Sequence, residues 1–226
     1  MIGIIGAMSV EVEALKAKVE NAERTVQSGI EFVSGTLCGK SVVIAQCGIG
    51  KVFAAICAQT MIVKFGVTHV INTGVGGAIS NELNITDVAI SNFVVQHDMD
   101  TSALGDPVGL ISGINVVDIA ADDTMISELC AAAEKRGARY LVGKIASGDL
   151  FVSGGEKKKY IEDTFGAIVC EMEGAAIGQV CYVNKIPFCV IRAVSDKADG
   201  SSSMDYMSFV GIAAKKNAEI VLEYLS

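Results

Sequence analysis

The strongest constraint on this chain is an alternation. Short runs rich in β-branched and other apolar residues take turns with segments of helical period from end to end, the pattern of an α/β fold around a largely buried sheet. Residues 1–6 read as a first strand. Residues 9–20 read as a helix, with Val12, Leu15 and Val19 at helical spacing and Glu11 in its first turn, just beyond a strand's C-terminal end. Further strands are expected at 31–37, 41–47, 69–73, 88–96, 140–147, 167–171 and 188–194, and helices at 51–65, 123–136, 156–163, 173–184 and 206–225. The strands at 31–37 and 41–47, joined by a Cys-Gly-Lys turn, read as a hairpin, so the sheet should be mixed rather than purely parallel. The polar run at 200–203 reads as a mobile lid or the start of the last helix.

At 226 residues, 51% of them hydrophobic and 19% charged, the chain has ample apolar material for one core, and residues 1–226 are expected to form a single domain. Eighteen Lys and Arg against 26 Asp and Glu leave a net charge of −8, a surface that repels phosphate backbones and anionic lipid. Neither nucleic acid nor a membrane is expected as a partner. Seven cysteines without a CxxC pair read as reduced thiols of a cytoplasmic protein. The apolar start lacks a basic flank and is interrupted by Glu11 and Glu13, unlike a signal peptide.

Three glycine-rich stretches, Gly3–Gly6, Gly48–Lys51 and Gly74–Gly77, read as loops after strands, but none completes a dinucleotide or P-loop signature. Ile79 stands where a third glycine would be needed, and Val52 follows Lys51. They fit tight turns or a ligand cradle equally well. His97-Asp98-Met99-Asp100 has the composition of a metal clip without further ligands of matching type, so a loop packed on a partner subunit is the better reading. The carboxylates say more. Glu171 and Glu173 end one apolar strand, Asp196 ends another, and Glu11 follows a third. Asp196 or Glu173 could each cap a following helix, yet three acidic sites at one end of a sheet suggest a common ligand.

The combination of Gly3-Ile4-Ile5-Gly6-Ala7-Met8 and Glu11, Cys47-Gly48-Ile49-Gly50-Lys51, Asn72-Thr73-Gly74, Ser147-Gly148-Asp149 with Phe151, Glu171-Met172-Glu173, and Arg192-Ala193-Val194-Ser195-Asp196 closely resembles the 5′-methylthioadenosine/S-adenosylhomocysteine nucleosidases of the nucleoside phosphorylase superfamily. The resemblance runs the full length with the motifs in order. It implies a single-domain three-layer α/β/α sandwich with a mixed central sheet. It also implies hydrolysis of an adenine nucleoside thioether by water, without metal or organic cofactor, in a homodimer.

Such a reaction must help adenine leave and stabilise a sugar that becomes cationic, and carboxyl groups serve both needs. The resemblance makes Asp196 the acid at purine N7, positioned by Ser195, and Glu11 the base for water, with Arg192 nearby. Glu173 would hold the ribose hydroxyls, Met172 pack on the sugar, Phe151 stack on adenine, and the Val152 backbone read the base edge. Ala7, Ile49, Val75, Gly76 and Glu171 complete the implied substrate-binding set. Val75 stands where relatives often carry Ser, Tyr206 where a Phe is common, and Leu104 where a Phe reaches the neighbouring subunit's alkylthio pocket; these departures bear on 5′-substituent preference. A futalosine-type nucleoside hydrolase, a phosphorylase on the same fold and a non-catalytic nucleoside-binding protein stand as alternatives.

Overall fold

The computed structural model describes all of residues 1–226. In chain order it comprises β1 (Ile2–Gly6), α1 (Ser9–Lys16), β2 (Glu20–Gln27), β3 (Ile30–Leu37), β4 (Lys40–Gln46), α2 (Lys51–Phe65), β5 (His69–Ala78), β6 (Val88–Gln96), β7 (Ile119–Ala120), α3 (Asp123–Lys135), β8 (Tyr140–Ser147), α4 (Gly155–Phe165), β9 (Ala167–Glu171), α5 (Gly174–Asn184), β10 (Phe188–Asp196) and α6 (Ser202–Leu225). The strands make one mixed sheet in the order β10-β6-β8-β9-β5-β1-β4-β3-β2, with β7 on β6 and β10 also paired to β5. Strands β5, β10, β6, β8 and β9 thus close into a ring, and β1, β4, β3 and β2 continue from β5 as an open wing.

This branching is possible because β5 is long and divides one of its edges. Residues His69–Asn72 pair in parallel with Ile2–Ile5 of β1, whereas Gly77 and Ala78 pair antiparallel with Cys170 and Val169 of β9. The other edge pairs along its length with β10. Between Asn72 and Gly77 the divided edge has no strand neighbour, and the sheet parts there. A split of this kind at strand ends is where ligands settle in α/β proteins.

The element types follow from burial. All nine residues of β10 are buried, as expected for a strand covered on both faces, and its sequence is accordingly apolar apart from Arg192, Ser195 and Asp196. The hairpins β2–β3 and β3–β4 turn on Ser28-Gly29 and Cys38-Gly39, both residues of each pair at positive φ, the two-residue turn that matches strand twist. Helices α1 and α3 pack on α6, and α2 packs on α5, around a main core of 49 buried residues. All seven thiols are free, with Cys38 exposed, Cys130 partly covered and the rest buried. No helix is long and apolar enough to cross a membrane.

Several expectations need correction. Helix α1 stops at Lys16 instead of reaching residue 20, because Lys18 and Val19 donate to Leu15 and Lys16 in a tightened last turn and the chain then enters β2. That strand, Glu-Asn-Ala-Glu-Arg-Thr-Val-Gln, is almost wholly exposed, so no apolar alternation announces it. The two-residue strand β7 was likewise not anticipated. The stretches Gly3–Gly6 and Gly74–Gly77 lie inside β1 and β5 rather than in loops, and only Gly48–Gly50 is a loop, with Lys51 opening α2. Helix α6 begins at Ser202, so the 200–203 run is the entry to that helix; Asp199 Oδ1 accepts from Ser201 N at 2.9 Å there.

Candidate active site

Glu11 occupies the gap in the sheet. As third residue of α1 it turns back across the helix start, where its Oε2 accepts from Ala7 N (2.7 Å) and Met8 N (2.9 Å). Its Oε1 accepts from Val75 N at 3.0 Å, so a side chain takes the place of a neighbouring strand on the open edge of β5. Small residues make the fit possible: a Cβ at Gly74 would sit 2.5 Å from Glu11 Oε1 and 3.3 Å from Arg192 Nη1. The glycine that resembles part of a nucleotide loop is there to admit a carboxylate. Burial raises the Glu11 pKa, against the opposing pull of Arg192 and the three backbone N–H groups, which brings a general base nearer to neutrality.

Beneath the site lies an ionic layer. Arg192, on β10, is buried and bonds Asn72 Oδ1, Glu171 Oε2 and the Asn72 carbonyl, while Asn72 donates to Ile5 O at 2.9 Å. Glu171 is fully engaged: Ser147 Oγ and Arg192 donate to it, as do Glu173 N (3.0 Å) and Gly174 N (2.8 Å) at the start of α5. Burial pushes its pKa up, but Arg192 and these donors outweigh that and hold it below the usual range. Glu171, not Glu173, is therefore the residue at the end of β9 that caps α5.

Glu173 is left for other work. Its Oε1 accepts from Gly50 N at 2.9 Å, and its Oε2 lies 3.9 Å from Arg192 Nη2. Burial and the charge of Glu171 raise its pKa to about 8, only partly offset by Arg192.

Asp196 ends β10. The β5–β10 register shifts between Val194 and Asp196, a bulge that re-aims the last side chains of the strand. Asp196 Oδ1 accepts from Ala198 N and Oδ2 from Ser195 Oγ, each at 2.9 Å, and Ser195 Oγ also lies 3.4 Å from Gly76 O. Six residues short of α6, Asp196 does not cap it. Across from it, Phe151 and Tyr206 meet edge to face at 5.6 Å, and the Tyr206 hydroxyl donates to Met8 Sδ at 3.0 Å. Neither Val152 N–H nor its carbonyl is bonded within the chain, although the residue is buried.

These groups converge on one cleft with a cavity of about 110 Å³. Glu11, Glu173, Asp196 and Ser195 line it with Phe151, Val152, Met172 and Tyr206. So do Ala7, Ile49, Val75, Gly76 and Glu171. Two expected site residues stand apart: Arg192 lies under the floor, and Leu104 is 84% exposed, away from the cleft. Met8, Gly77, Leu150 and Cys170 also line the cleft and were not anticipated. Met8 and Leu150 are chain neighbours of expected residues, a signal that was available. No Lys, Arg or His is among the lining residues, so the cleft offers carboxylates, main-chain groups and aromatic faces to an uncharged ligand with a polar edge.

A sequence profile described as the phosphorylase superfamily matches residues 1–226. A curated relative from Staphylococcus carnosus, a 5′-methylthioadenosine/S-adenosylhomocysteine nucleosidase, is 40% identical over 226 residues, covering 100% of this chain and 99% of its own. The crystal structure of the nucleosidase of that name from Neisseria meningitidis, in complex with methylthio-immucillin-A, superposes with a TM-score of 0.96. It has 36% identity over 99% of this chain and 97% of that chain. A futalosine hydrolase from Helicobacter pylori superposes with a TM-score of 0.94 at 32% identity, over 99% and 96% of the two chains.

Proposed function

The chain belongs to the phosphorylase superfamily, and on that premise we propose that it hydrolyses the N-glycosidic bond of 5′-methylthioadenosine and S-adenosylhomocysteine, releasing adenine and the 5′-thioribose product. The observation that carries this reading is the convergence of Glu11, Glu173 and Asp196 from three separate strand ends on one cleft without a lining cation.

In this mechanism adenine lies between Phe151 and Asp196, with its Watson–Crick edge on the unpaired N–H and carbonyl of Val152. A main-chain donor beside an acceptor separates a 6-amino from a 6-oxo purine, because the two groups invert hydrogen-bond polarity. Asp196 gives its proton to N7 as the C1′–N9 bond breaks and the bonding electrons pass to the base. Ser195 holds the Asp196 carboxyl in line, while Glu173 binds the ribose hydroxyls and Met172 packs on the sugar. Water adds to C1′ and its proton passes to Glu11. Exchange with solvent then returns a proton to Asp196 and removes one from Glu11. Every proton has a side chain to carry it, so the scheme calls on no metal or organic cofactor. Arg192, under the floor, and Glu171, in the cleft wall, act as positioning residues.

Phosphate in place of water is disfavoured. An anion about 4 Å from the Glu11 charge costs about 4 kcal/mol per unit charge at an effective dielectric near 20. We also propose a homodimer: Ile49, Val52, Phe53 and Ile56 recur at helical spacing around the start of α2 and are all exposed, an apolar stripe suited to a second copy. Product chromatography from methylthioadenosine, adenosylhomocysteine and inosine in phosphate-free buffer tests the reaction. Adenine from the first two only is the expected result, and a strict phosphate requirement would refute it. Adding futalosine to the panel tests the reading that the Helicobacter pylori likeness favours.

A further inference from the structure

A second polar network lies outside the catalytic cleft and links the two loops that frame it. Gly50, at the start of α2, has φ +100° and no side chain to cap the helix. The missing acceptor comes from far along the chain: Asp149 Oδ1 accepts from Lys51 N at 2.8 Å. Asp149 is itself held, its N–H donating to Asp98 Oδ2 at 2.9 Å. Asp98 Oδ1 closes the circuit on Lys51 Nζ at 2.6 Å, and the same ammonium donates to Gln96 Oε1 at 3.1 Å. Burial works against the Asp98 charge, but its bonds to Lys51 and Asp149 hold its pKa below the ordinary range.

Each end of this circuit abuts a substrate contact. Gly50 N, one residue before Lys51, is the donor that fixes Glu173. Asp149 immediately precedes Leu150, Phe151 and Val152, the segment facing the base. Exposed ion pairs alone contribute little, but two of these bonds run from a backbone N–H to a carboxylate, so each anchors main chain to a charged side chain.

We propose that Asp149, Lys51 and Asp98 form a clamp that sets the distance between the base-reading loop and the ribose-holding carboxylate, which makes Asp149 a positioning residue for catalysis. This rests on the nucleosidase reading and deepens it. The clamp matters only to a ligand that spans both loops, so a nucleoside should feel its loss more than adenine alone.

The test is kinetic, on Asp149→Ala, Asp149→Asn and Asp98→Asn, with thermal unfolding as a check of folding. Asp149→Ala should lower kcat/KM for methylthioadenosine by about 10- to 100-fold while inhibition by adenine weakens less than about threefold, since small misplacements of bound groups cost rate rather than fragment affinity. Asp149→Asn, which keeps the acceptor for Lys51 N, should restore most of the loss. Equal weakening of adenine and nucleoside, or an unchanged kcat/KM, would overturn the clamp. Should Asp149→Ala not fold, Asp98→Asn carries the same comparison. If the wild-type protein binds nucleoside without releasing adenine, the nucleosidase reading fails separately, and calorimetric binding of adenine against methylthioadenosine still decides the clamp.

Discussion

Replacing Asp196 with Asn removes one transferable proton and leaves its surroundings almost intact. In the native arrangement Asp196 Oδ1 accepts from Ala198 N and Oδ2 accepts from Ser195 Oγ. An Asn placed with its carbonyl oxygen toward Ala198 keeps the first bond. Its amide can donate to Ser195 Oγ, whose hydroxyl then rotates toward Gly76 O, 3.4 Å away. One bond reverses direction and none is lost, so the stability change should stay within about 1 kcal/mol. The amide can still donate a hydrogen bond to purine N7 but cannot give up its proton. Loss of a general acid is typically worth about 10² to 10⁴ in rate, a barrier increase of about 3 to 5 kcal/mol. The expected outcome is a fall of that size in kcat, with KM for methylthioadenosine little changed and an unaltered unfolding temperature. Adenine release followed by chromatography, beside thermal unfolding of the same preparation, measures both. A folded variant with kcat near wild type would refute the assignment of Asp196 as the acid, and a large drop in stability would refute the reasoning about its hydrogen bonds.

Glu11→Gln should lose about 10² to 10⁴ in kcat, at a greater structural cost than Asp196→Asn because its amide group would confront an N–H donor; single-turnover rates of a folded sample check this. Gly74→Ala drives a Cβ to within 2.5 Å of Glu11 Oε1, and overpacking of that kind costs about 1 to 3 kcal/mol. Its activity, read by adenine release, should fall more than stability alone explains as Glu11 is displaced. Glu173, raised from 4.5 to about 8, binds its proton more tightly folded than unfolded. Its contribution to stability is therefore whole below the unfolded value and lost as pH rises through about 8. Unfolding temperatures across that window should fall less for Glu173→Gln than for wild type, and parallel curves would refute the assignment.

The carboxylates and the main strands were legible because chemistry and hydrophobic pattern coincide there. Asp196 terminates a mostly apolar run, interrupted by Arg192 and Ser195, that is buried on both faces, and Glu11 follows a strand at the start of a periodic helix. Strand β2 was not legible because it is an edge strand whose exposed polar residues carry no period. The glycines of β5 suggested a loop because their reason is tertiary: the room they leave is filled by Glu11, distant in sequence, and by Val169 and Cys170 beside Gly76. Arg192 was recognisable as part of the site, but its position below the floor depends on Asn72 and Glu171 arriving from other strands. The circuit through Asp149 was hidden for a related reason, since it joins residues 47, 51 and 98 positions apart.

The parting of β5 between two neighbours has a mechanical consequence. The floor beneath the reacting atoms is stitched into a closed hoop of five strands, so it cannot flex open without unzipping several ladders at once. Traffic of nucleoside and products must therefore pass by way of the rim, where residues 47–50, 149–153 and 197–201 connect the rigid pieces without belonging to any of them. The anvil stays fixed, and any give is left to its margin.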